Sequence, residues 1–182
     1  MVLDIQGDLD SRAAENVYNT IHDSYVPGDD VEISIDSRGG YINVAVSVMM
    51  ALKYLQMAGS HITIHNTGPV MSAATIIWLT CNERIWNPQF DFLIHNPYME
   101  DVSGDADDLL EHAVELIDVE EDIRQLYSAI SGKTPNEVET LMAQSRPMTV
   151  EELKEWNFIT DLKKWNFITD LKKWDFITDL KK

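Results

Sequence analysis

The sequence is short of cysteine, of basic residues and of long apolar runs. Its single cysteine, Cys81, cannot form an internal disulfide, which suits the reducing cytoplasm. The 14 Lys and Arg stand against 31 Asp and Glu, and a net charge of −17 argues against nucleic acid and anionic membranes as partners, because both require basic patches. No segment approaches the roughly 20 apolar residues of a membrane span, and the N-terminus lacks the basic region of a secretory signal. We therefore expect a cytoplasmic protein without a membrane anchor.

Metal-binding patterns are also missing from the sequence. Four histidines lack a cysteine or a second histidine at ligand spacing: His22, His61, His65 and His112. The carboxylates of residues 101–108 do not follow the spacing of an EF-hand calcium loop. The sequence thus predicts no metal site and no cofactor.

The length of 182 residues fits one domain with a substantial core and is too short to predict two. Segments with strand periodicity alternate with segments of helical periodicity along the chain. The predicted strands are 2–7, 31–37, 61–67, 83–86 and 91–94, and the predicted helices include 11–23, 41–57 and the short apolar run 73–79. This alternation predicts crossover connections and a mainly parallel sheet, which is an α/β fold.

The most informative segment is Gly68-Pro69-Val70-Met71-Ser72-Ala73-Ala74. The residues before it alternate as a half-buried strand does, and a short apolar helix is predicted after it. A serine at such a turn lies where unpaired backbone amides favour developing negative charge, which suits a nucleophile with an oxyanion hole. The alternative is that Ser72 only caps the helix, as serines commonly do.

Two further segments place reactive groups at strand ends. His95 follows an apolar run and precedes Asn-Pro, so it is expected at a turn, where its imidazole can act as a general base for Ser72. Upstream, the strand 31–37 runs into Gly39 and Gly40, whose backbone can approach a ligand closely and offer N–H groups to an anion. A helix cap requires none of these neighbours, so the three segments together favour a nucleophilic site.

Together the three motifs resemble those of the proteolytic subunit of the Clp protease. The chain reads Ser-Arg-Gly-Gly at 37–40, Gly-Pro-Val-Met-Ser at 68–72 and Leu-Ile-His-Asn-Pro at 93–97. That family usually has Ser-Pro-Gly-Gly, Gly-x-Ala-Ala-Ser and Met-Ile-His-Gln-Pro. The similarity extends from about Val2 to Leu162. It implies a crotonase-like spiral of β-β-α units with a protruding handle helix, here roughly residues 96–131.

The resemblance also implies an activity and partners. Ser72 would be the nucleophile, His95 the general base, and the amides of Gly40 and Ala73 the oxyanion hole. The implied enzyme is a serine endopeptidase that cleaves unfolded polypeptides inside a homo-oligomeric ring, expected as a heptamer that can stack into a tetradecamer. Homologous Clp subunits or an AAA+ unfoldase are the expected protein partners.

The family usually carries a further segment before the first strand, which forms loops around the pore of the ring. Here Met1-Val2-Leu3 begins almost at that strand. We therefore expect a subunit that works without an unfoldase, or one that depends on neighbours carrying those loops.

The third catalytic residue departs from the family pattern. Aligning Ser145-Arg146-Pro147-Met148-Thr149 with the family's Asp-Arg-Phe-Leu-Ser puts Ser145 at the expected acid position. Serine brings no charge to stabilise the imidazolium, and in a serine protease the exchange of that acid for an amide lowered the rate about 10⁴-fold. Three alternatives follow: slow catalysis by the serine and histidine alone, a substitute acid from a neighbouring loop, or a subunit that has lost activity.

Residues 100–122 hold eleven Asp and Glu and no Lys or Arg. Apolar residues still recur there at helical spacing, which predicts an amphipathic helix that continues to Gly132. In the resembling family this element is the handle through which two rings stack, and like charges would oppose that contact. We expect ring stacking that is weak, or strengthened by salt, acid or divalent cations; a solvated acidic face is the simpler alternative.

The C-terminus repeats Trp-Asn-Phe-Ile-Thr-Asp-Leu-Lys-Lys from Trp156 and from Trp165, and again from Trp174 with Asp175 in place of Asn. The first copy contains the end of the resembling region. We therefore divide the chain into a single domain, 1–162, and an appended tail, 163–182, and expect the last two copies to be dispensable for folding.

The sequence thus predicts a serine endopeptidase subunit of a ring protease with a weakened triad. The main alternative is a catalytically impaired ring subunit that regulates active homologous subunits. A third hypothesis is a crotonase-like acyl-CoA enzyme, which would share the fold and the oxyanion amides. Such an enzyme has no need of the pair Ser72 and His95, so it ranks last.

Overall fold

The computed structural model describes residues 1–163. Residues 164–182, which include the second and third copies of the repeat, lie outside the described residues, so the division into domain and tail stays a prediction. The strands are β1 (Val2–Gln6), β2 (Val31–Ser37), β3 (Ile62–Met71), β4 (Glu83–Trp86), β5 (Phe92–Leu93) and β6 (Asp161–Leu162). The helices are α1 (Ser11–Ser24), α2 (Ile42–Met57), α3 (Ala74–Thr80), α4 (Ala106–Ser131), α5 (Pro135–Gln144) and α6 (Val150–Glu155).

A parallel sheet organises the described part of the chain. The strand order is β1-β2-β3-β4-β6, and β5 pairs with the far end of β3. Each of these pairs is parallel, which requires the crossover connections that the helices supply. The predicted α/β fold with a mainly parallel sheet is confirmed. The sequence did not predict β6, a two-residue strand within the first copy of the repeat.

Strand β3 is longer than predicted, because it continues past Thr67 to Met71. The sheet register explains the difference. Ile35 faces Asn66 and Ser37 faces Val70, so β3 uses two more residues than β2 over this stretch. Such a bulge bends a strand and re-aims the residues that follow it. Here it carries the end of β3 onto β5 and leads directly into the turn at residue 72.

The bulge is stabilised by a buried amide side chain. Asn66 is 1% exposed, and its Nδ2 donates to the carbonyl oxygens of Gly68 at 3.0 Å and Asn87 at 3.2 Å. Its Oδ1 accepts the N–H of Asn87 at 2.6 Å. These bonds satisfy backbone groups that the irregular ladder leaves unpaired, as buried polar groups require.

An aromatic cluster fixes α3 and the end of the domain to each other. Trp78 packs edge to face on Trp86 at a centroid distance of 5.5 Å, and Phe92 lies 5.7 Å from both Trp86 and Phe158. The indole N–H of Trp78 donates to the carbonyl of Phe158 at 2.8 Å. The helix after residue 72 is therefore anchored in the core through Trp78.

Helix α4 extends beyond the core. Its 26 residues correspond to a length of about 39 Å. Asp105 caps its start, and Gly132 ends it with a φ of 72°. In the second half Ile123 and Tyr127 are buried, whereas Leu110 in the first half is 64% exposed. This half-anchored helix is the handle that the sequence predicted, although residues 96–105 before it form neither helix nor strand.

The first and second copies of the repeat offer a test of the predicted domain boundary, because their phenylalanines lie on opposite sides of it. Phe158 in the first copy is fully buried against Phe92, Tyr127 and Trp156. We expect Phe158→Ala to lower the free energy of unfolding by about 3–5 kcal/mol, measured by denaturant titration. Phe167→Ala changes the same nonapeptide in the second copy, and it should leave the unfolding curve unchanged. An equal loss in both variants would contradict the boundary after residue 162.

Candidate active site

Ser72 occupies the turn between β3 and α3 with a positive φ of 54°. Holding an L-residue in that region costs about 1–3 kcal/mol, so surrounding contacts must impose it. The N–H of Ser72 donates to the carbonyl of Leu93 at 2.8 Å, which ties the turn to β5. The N-cap of α3 is Ala73, and no side chain caps this helix. The structure therefore contradicts the capping alternative for Ser72.

Gly39 lets the end of β2 approach this turn. A Cβ atom at position 39 would lie 2.7 Å from the Cβ of Ser72 and 2.9 Å from the carbonyl oxygen of Met71. Its φ of +107° is also one that L-residues rarely adopt. Both the close approach and the backbone conformation therefore require glycine at this position.

Two backbone amides near the cavity that Ser72 borders have no hydrogen-bond partner in the described part of the chain. Among residues 1–163, neither the N–H of Gly40 nor that of Ala73 donates a hydrogen bond. The neighbouring N–H of Gly39, by contrast, donates to Ser37 Oγ at 3.1 Å. Ala73 is 3% exposed, and buried amides are rarely left unsatisfied. One donor directly follows the serine and the other belongs to a residue on the same cavity, and an oxyanion hole requires two such donors.

His95 lies just after β5, and its ring is half-buried. Its Nδ1 is 2.7 Å from the carbonyl oxygen of Asn96. Because a carbonyl can only accept, the proton belongs on Nδ1 in this contact, and Nε2 of the neutral ring is then free to take a proton. Sequence reasoning missed this partner of His95, since a backbone carbonyl leaves no pattern of residue types.

Ser72 and His95 border the same cavity, which has a volume of about 950 Å³. Among the described contacts no hydrogen bond joins the two side chains. Catalytic hydrogen bonds are often long in unliganded enzymes and tighten when substrate binds. The chain thus brings the predicted nucleophile and base to one site without completing the contact between them.

The cavity border carries an excess of negative charge. Its carboxylate residues are Asp8, Asp10, Glu100, Asp101 and Glu115. Arg38 is the one lysine or arginine that borders it in the described part of the chain. Clustered charges of one sign raise the local concentration of oppositely charged ligands, so this cavity favours cationic segments over anionic ones. Asp101 also brings a carboxylate to the cavity that contains His95.

Ser145 lies apart from this cavity border. It is exposed, follows α5 with a φ of 46°, and makes no side-chain hydrogen bond among the described residues. Its segment is nevertheless connected to the site, because Met148 N–H donates to the carbonyl of Phe92 at 2.8 Å. The segment of Ser145 is therefore tied to the strand that leads to His95, but among the described residues no hydrogen bond joins Ser145 to the imidazole.

An ion pair fixes the segment that carries Ser145. Arg146 binds both carboxylate oxygens of Glu152, at 2.9 and 2.5 Å. The hydrogen bond from Arg146, together with one from the backbone of Thr149, lowers the pKa of Glu152 to about 2. At near-neutral pH this carboxylate is therefore charged, and its ion pair with Arg146 holds the turn.

Neither a metal centre nor a membrane span is found in the described residues. Among residues 1–163, no group of three or more His, Cys, Asp and Glu side chains could hold a metal ion. Within the same range, no helix combines the length and the apolar character needed to cross a bilayer. Asp105 and Asp108, which lie in the acidic stretch, instead form the capping box of α4.

Known proteins with similar sequences include Clp protease subunits. The family model described as Clp protease matches residues 2–164. An ATP-dependent Clp protease proteolytic subunit from Porphyromonas gingivalis is 28% identical over 139 residues, which cover 75% of this chain and 61% of that protein. A Clp protease proteolytic subunit-like protein from Streptomyces coelicolor is 24% identical over 135 residues, which cover 73% of this chain and 63% of that protein. The matches thus span less than two thirds of either relative.

A solved structure has the same fold. The chain superimposes on a ClpP1 mutant from Listeria monocytogenes with a TM-score of 0.78 and 21% identity, and the match covers 91% of this chain and 92% of that one. The expected crotonase-like architecture is therefore confirmed. At this level of identity the likeness concerns the fold alone.

The close approach at Gly39 predicts a selective effect on Ser72. Gly39→Ala should slow the reaction of Ser72 with a fluorophosphonate by at least about tenfold, because the new Cβ displaces the serine turn. Gly59→Ala is the matched control: Gly59 has a similar φ of +97°, but a Cβ there would meet nothing within 4 Å. Both variants should lose about 1–2 kcal/mol of stability from backbone strain. Equal labelling rates in the two variants would show that the contact does not position Ser72.

Proposed function

The chain belongs to the Clp protease family, and from that premise we propose that it is a serine endopeptidase subunit of a ring protease with a weakened triad. One observation carries the proposal. Ser72 is held at positive φ directly before Ala73, on a cavity that Gly40 and His95 also border, and among residues 1–163 the N–H groups of Gly40 and Ala73 donate to no protein atom. A nucleophile, a base and two oxyanion donors are the groups that acyl transfer requires.

In the proposed reaction, Nε2 of His95 takes the proton of the Ser72 hydroxyl while Oγ attacks the scissile carbonyl carbon. The carbonyl oxygen becomes an oxyanion that accepts hydrogen bonds from Gly40 and Ala73. His95 then gives its proton to the leaving amine, the C–N bond breaks, and an acyl-enzyme remains on Ser72. Water, deprotonated by His95, hydrolyses this ester and restores the serine.

The proposed weakness lies in the support of His95. The carbonyl of Asn96 fixes the tautomer that leaves Nε2 as the acceptor, which is one of the roles of a triad acid. A neutral carbonyl does not supply the other role, stabilisation of the imidazolium by a negative charge. Ser145, at the expected acid position, brings no charge either. The proposed enzyme therefore works slowly on its own.

Assembly into a ring is part of the proposal, with the heptamer and its stacked tetradecamer as the expected forms. Large apolar side chains on α2 remain exposed in the single chain: Met50, Tyr54 and Met57. Apolar faces of this kind mark contact surfaces between proteins. Unfolded polypeptides are the proposed substrates, and homologous Clp subunits or an AAA+ unfoldase the proposed partners.

A catalytically impaired subunit that regulates active homologues is the second candidate function. Two observations favour it: among the described contacts, Ser72 and His95 are not hydrogen-bonded, and Ser145 does not border the cavity. The two candidates differ in one respect, which is whether the hydroxyl of Ser72 reacts.

Labelling of the purified full chain with a fluorophosphonate, together with hydrolysis of a fluorogenic peptide, tests the proposal. We expect covalent modification at Ser72 that is absent in Ser72→Ala. We expect Ser145→Asp to raise the rate of peptide hydrolysis at least about tenfold. The upper limit is near about 10⁴-fold, which is the loss of rate when the triad acid of a serine protease is replaced by an amide. Aspartate tolerates the left-handed conformation of position 145, so the substitution is compatible with the turn.

The outcomes separate the two candidates. Labelling of the wild type together with a gain in Ser145→Asp supports a weakened peptidase. Labelling without a gain shows that some other group, such as Asp101, already supports the histidine. Absence of labelling in both the wild type and Ser145→Asp would contradict the peptidase proposal and would favour the regulatory subunit.

A further inference from the structure

A buried chain of hydrogen bonds leads from α4 to the turn of Ser72. The hydroxyl of Tyr127 lies 2.6 Å from Oγ1 of Thr75, and that oxygen lies 2.6 Å from the carbonyl oxygen of Ser72. The same carbonyl accepts the N–H of Thr75 at 3.0 Å. Thr75 is fully buried and Tyr127 is 2% exposed, so water does not compete for these bonds. Residues 75 and 127 are 52 positions apart, and no sequence motif connects them.

The direction of each bond follows from the chemistry of the groups. The carbonyl of Ser72 can only accept, so the hydroxyl of Thr75 donates to it. That hydroxyl has a single proton, so the hydroxyl of Tyr127 must donate to Thr75 in turn. Burial raises the pKa of Tyr127 to about 12, which keeps its proton in place near neutral pH.

The peptide unit that these bonds hold is also the unit that carries a proposed oxyanion donor. The carbonyl of Ser72 and the N–H of Ala73 belong to one planar trans peptide, so they point in opposite directions. Fixing the carbonyl toward Thr75 therefore aims the N–H of Ala73 to the other side, where no atom of residues 1–163 accepts it. A shift of this plane would turn the donor away from a developing oxyanion.

We propose that Tyr127 is a positioning residue, which acts through Thr75 to orient the Ser72–Ala73 peptide and thereby the oxyanion donor of Ala73. The inference rests on the proposed function of that peptide. It makes the buried half of the handle helix α4 part of the support of the active site. Tyr127 itself touches neither substrate nor nucleophile.

Substitutions that remove one hydroxyl test the inference in the full chain. In Tyr127→Phe and in Thr75→Val we expect the rate of fluorophosphonate labelling and kcat to fall about 5- to 50-fold with KM unchanged. The loss should be smaller than the 10²–10³-fold effect of deleting a whole oxyanion donor, because the amide is misaimed and not removed. Thr75→Ser keeps the hydroxyl, and its rate should lie closer to wild type than that of Thr75→Val.

Tyr25→Phe is the matched control. The hydroxyl of Tyr25 lies 2.9 Å from the hydroxyl of Ser60, so this variant also removes a tyrosine-to-hydroxyl bond, away from the site. We expect its labelling rate to equal that of the wild type. Thermal unfolding of each variant verifies that the rates compare folded proteins, and Thr75→Val provides a second route if Tyr127→Phe does not fold.

Amide hydrogen exchange gives a readout that needs no activity. The N–H of Thr75 donates to the carbonyl that the proposed chain fixes, so it should exchange faster in Tyr127→Phe than in wild type or Tyr25→Phe. Each assay is run in the wild-type and the Ser145→Asp background. If neither background labels at Ser72, the proposed function fails, while the exchange rates still decide whether Tyr127 holds the peptide. If Tyr127→Phe and Thr75→Val both had the same labelling rate and the same exchange rate at the Thr75 N–H as the wild type, the positioning role would be overturned.

Discussion

The structure of the site depends on the strained backbone of Ser72 and on the peptide that links it to Ala73. A positive φ at Ser72 is unfavourable by itself, and it persists because three neighbours impose it. Gly39 approaches from β2, Leu93 accepts the serine N–H from β5, and Thr75 binds the serine carbonyl from α3. The proposed chemistry follows from this arrangement, because the hydroxyl of Ser72 does not cap α3 and the N–H of Ala73 has no acceptor among residues 1–163.

The parallel sheet makes such an arrangement possible. Strands β2, β3 and β5 are neighbours that run in one direction, so their carboxyl ends meet at one edge of the sheet. Gly40, Ser72 and His95 each follow one of these ends, and open α/β sheets commonly bind ligands at this edge. The family relationship and the geometry therefore point to the same residues. The departure from the family pattern at Ser145 concerns the proposed support of His95, and it does not affect the proposed nucleophile or the proposed oxyanion donors.

The sequence predicted the parts of this site that depend on local patterns. Periodicity placed Ser72 and His95 at strand ends, and the glycine pair pointed to a close backbone approach. The sequence did not predict the bulge in β3 near Gly68. That bulge depends on the buried side chain of Asn66 and on its partners in other parts of the chain. The contact of Tyr127 with Thr75 could not be predicted from the sequence either, since it forms only when the handle packs on the core. The partner of His95 is a backbone atom, which residue types do not reveal.

The most direct test of the account is a high-resolution crystal structure of the chain after reaction with a fluorophosphonate. We predict a covalent bond from phosphorus to Ser72 Oγ, with the phosphonyl oxygen about 2.7–3.1 Å from the backbone nitrogens of both Gly40 and Ala73. An adduct on another residue, or a phosphonyl oxygen that is bound by neither amide, would contradict the claim that the amides of Gly40 and Ala73 form an oxyanion hole for Ser72.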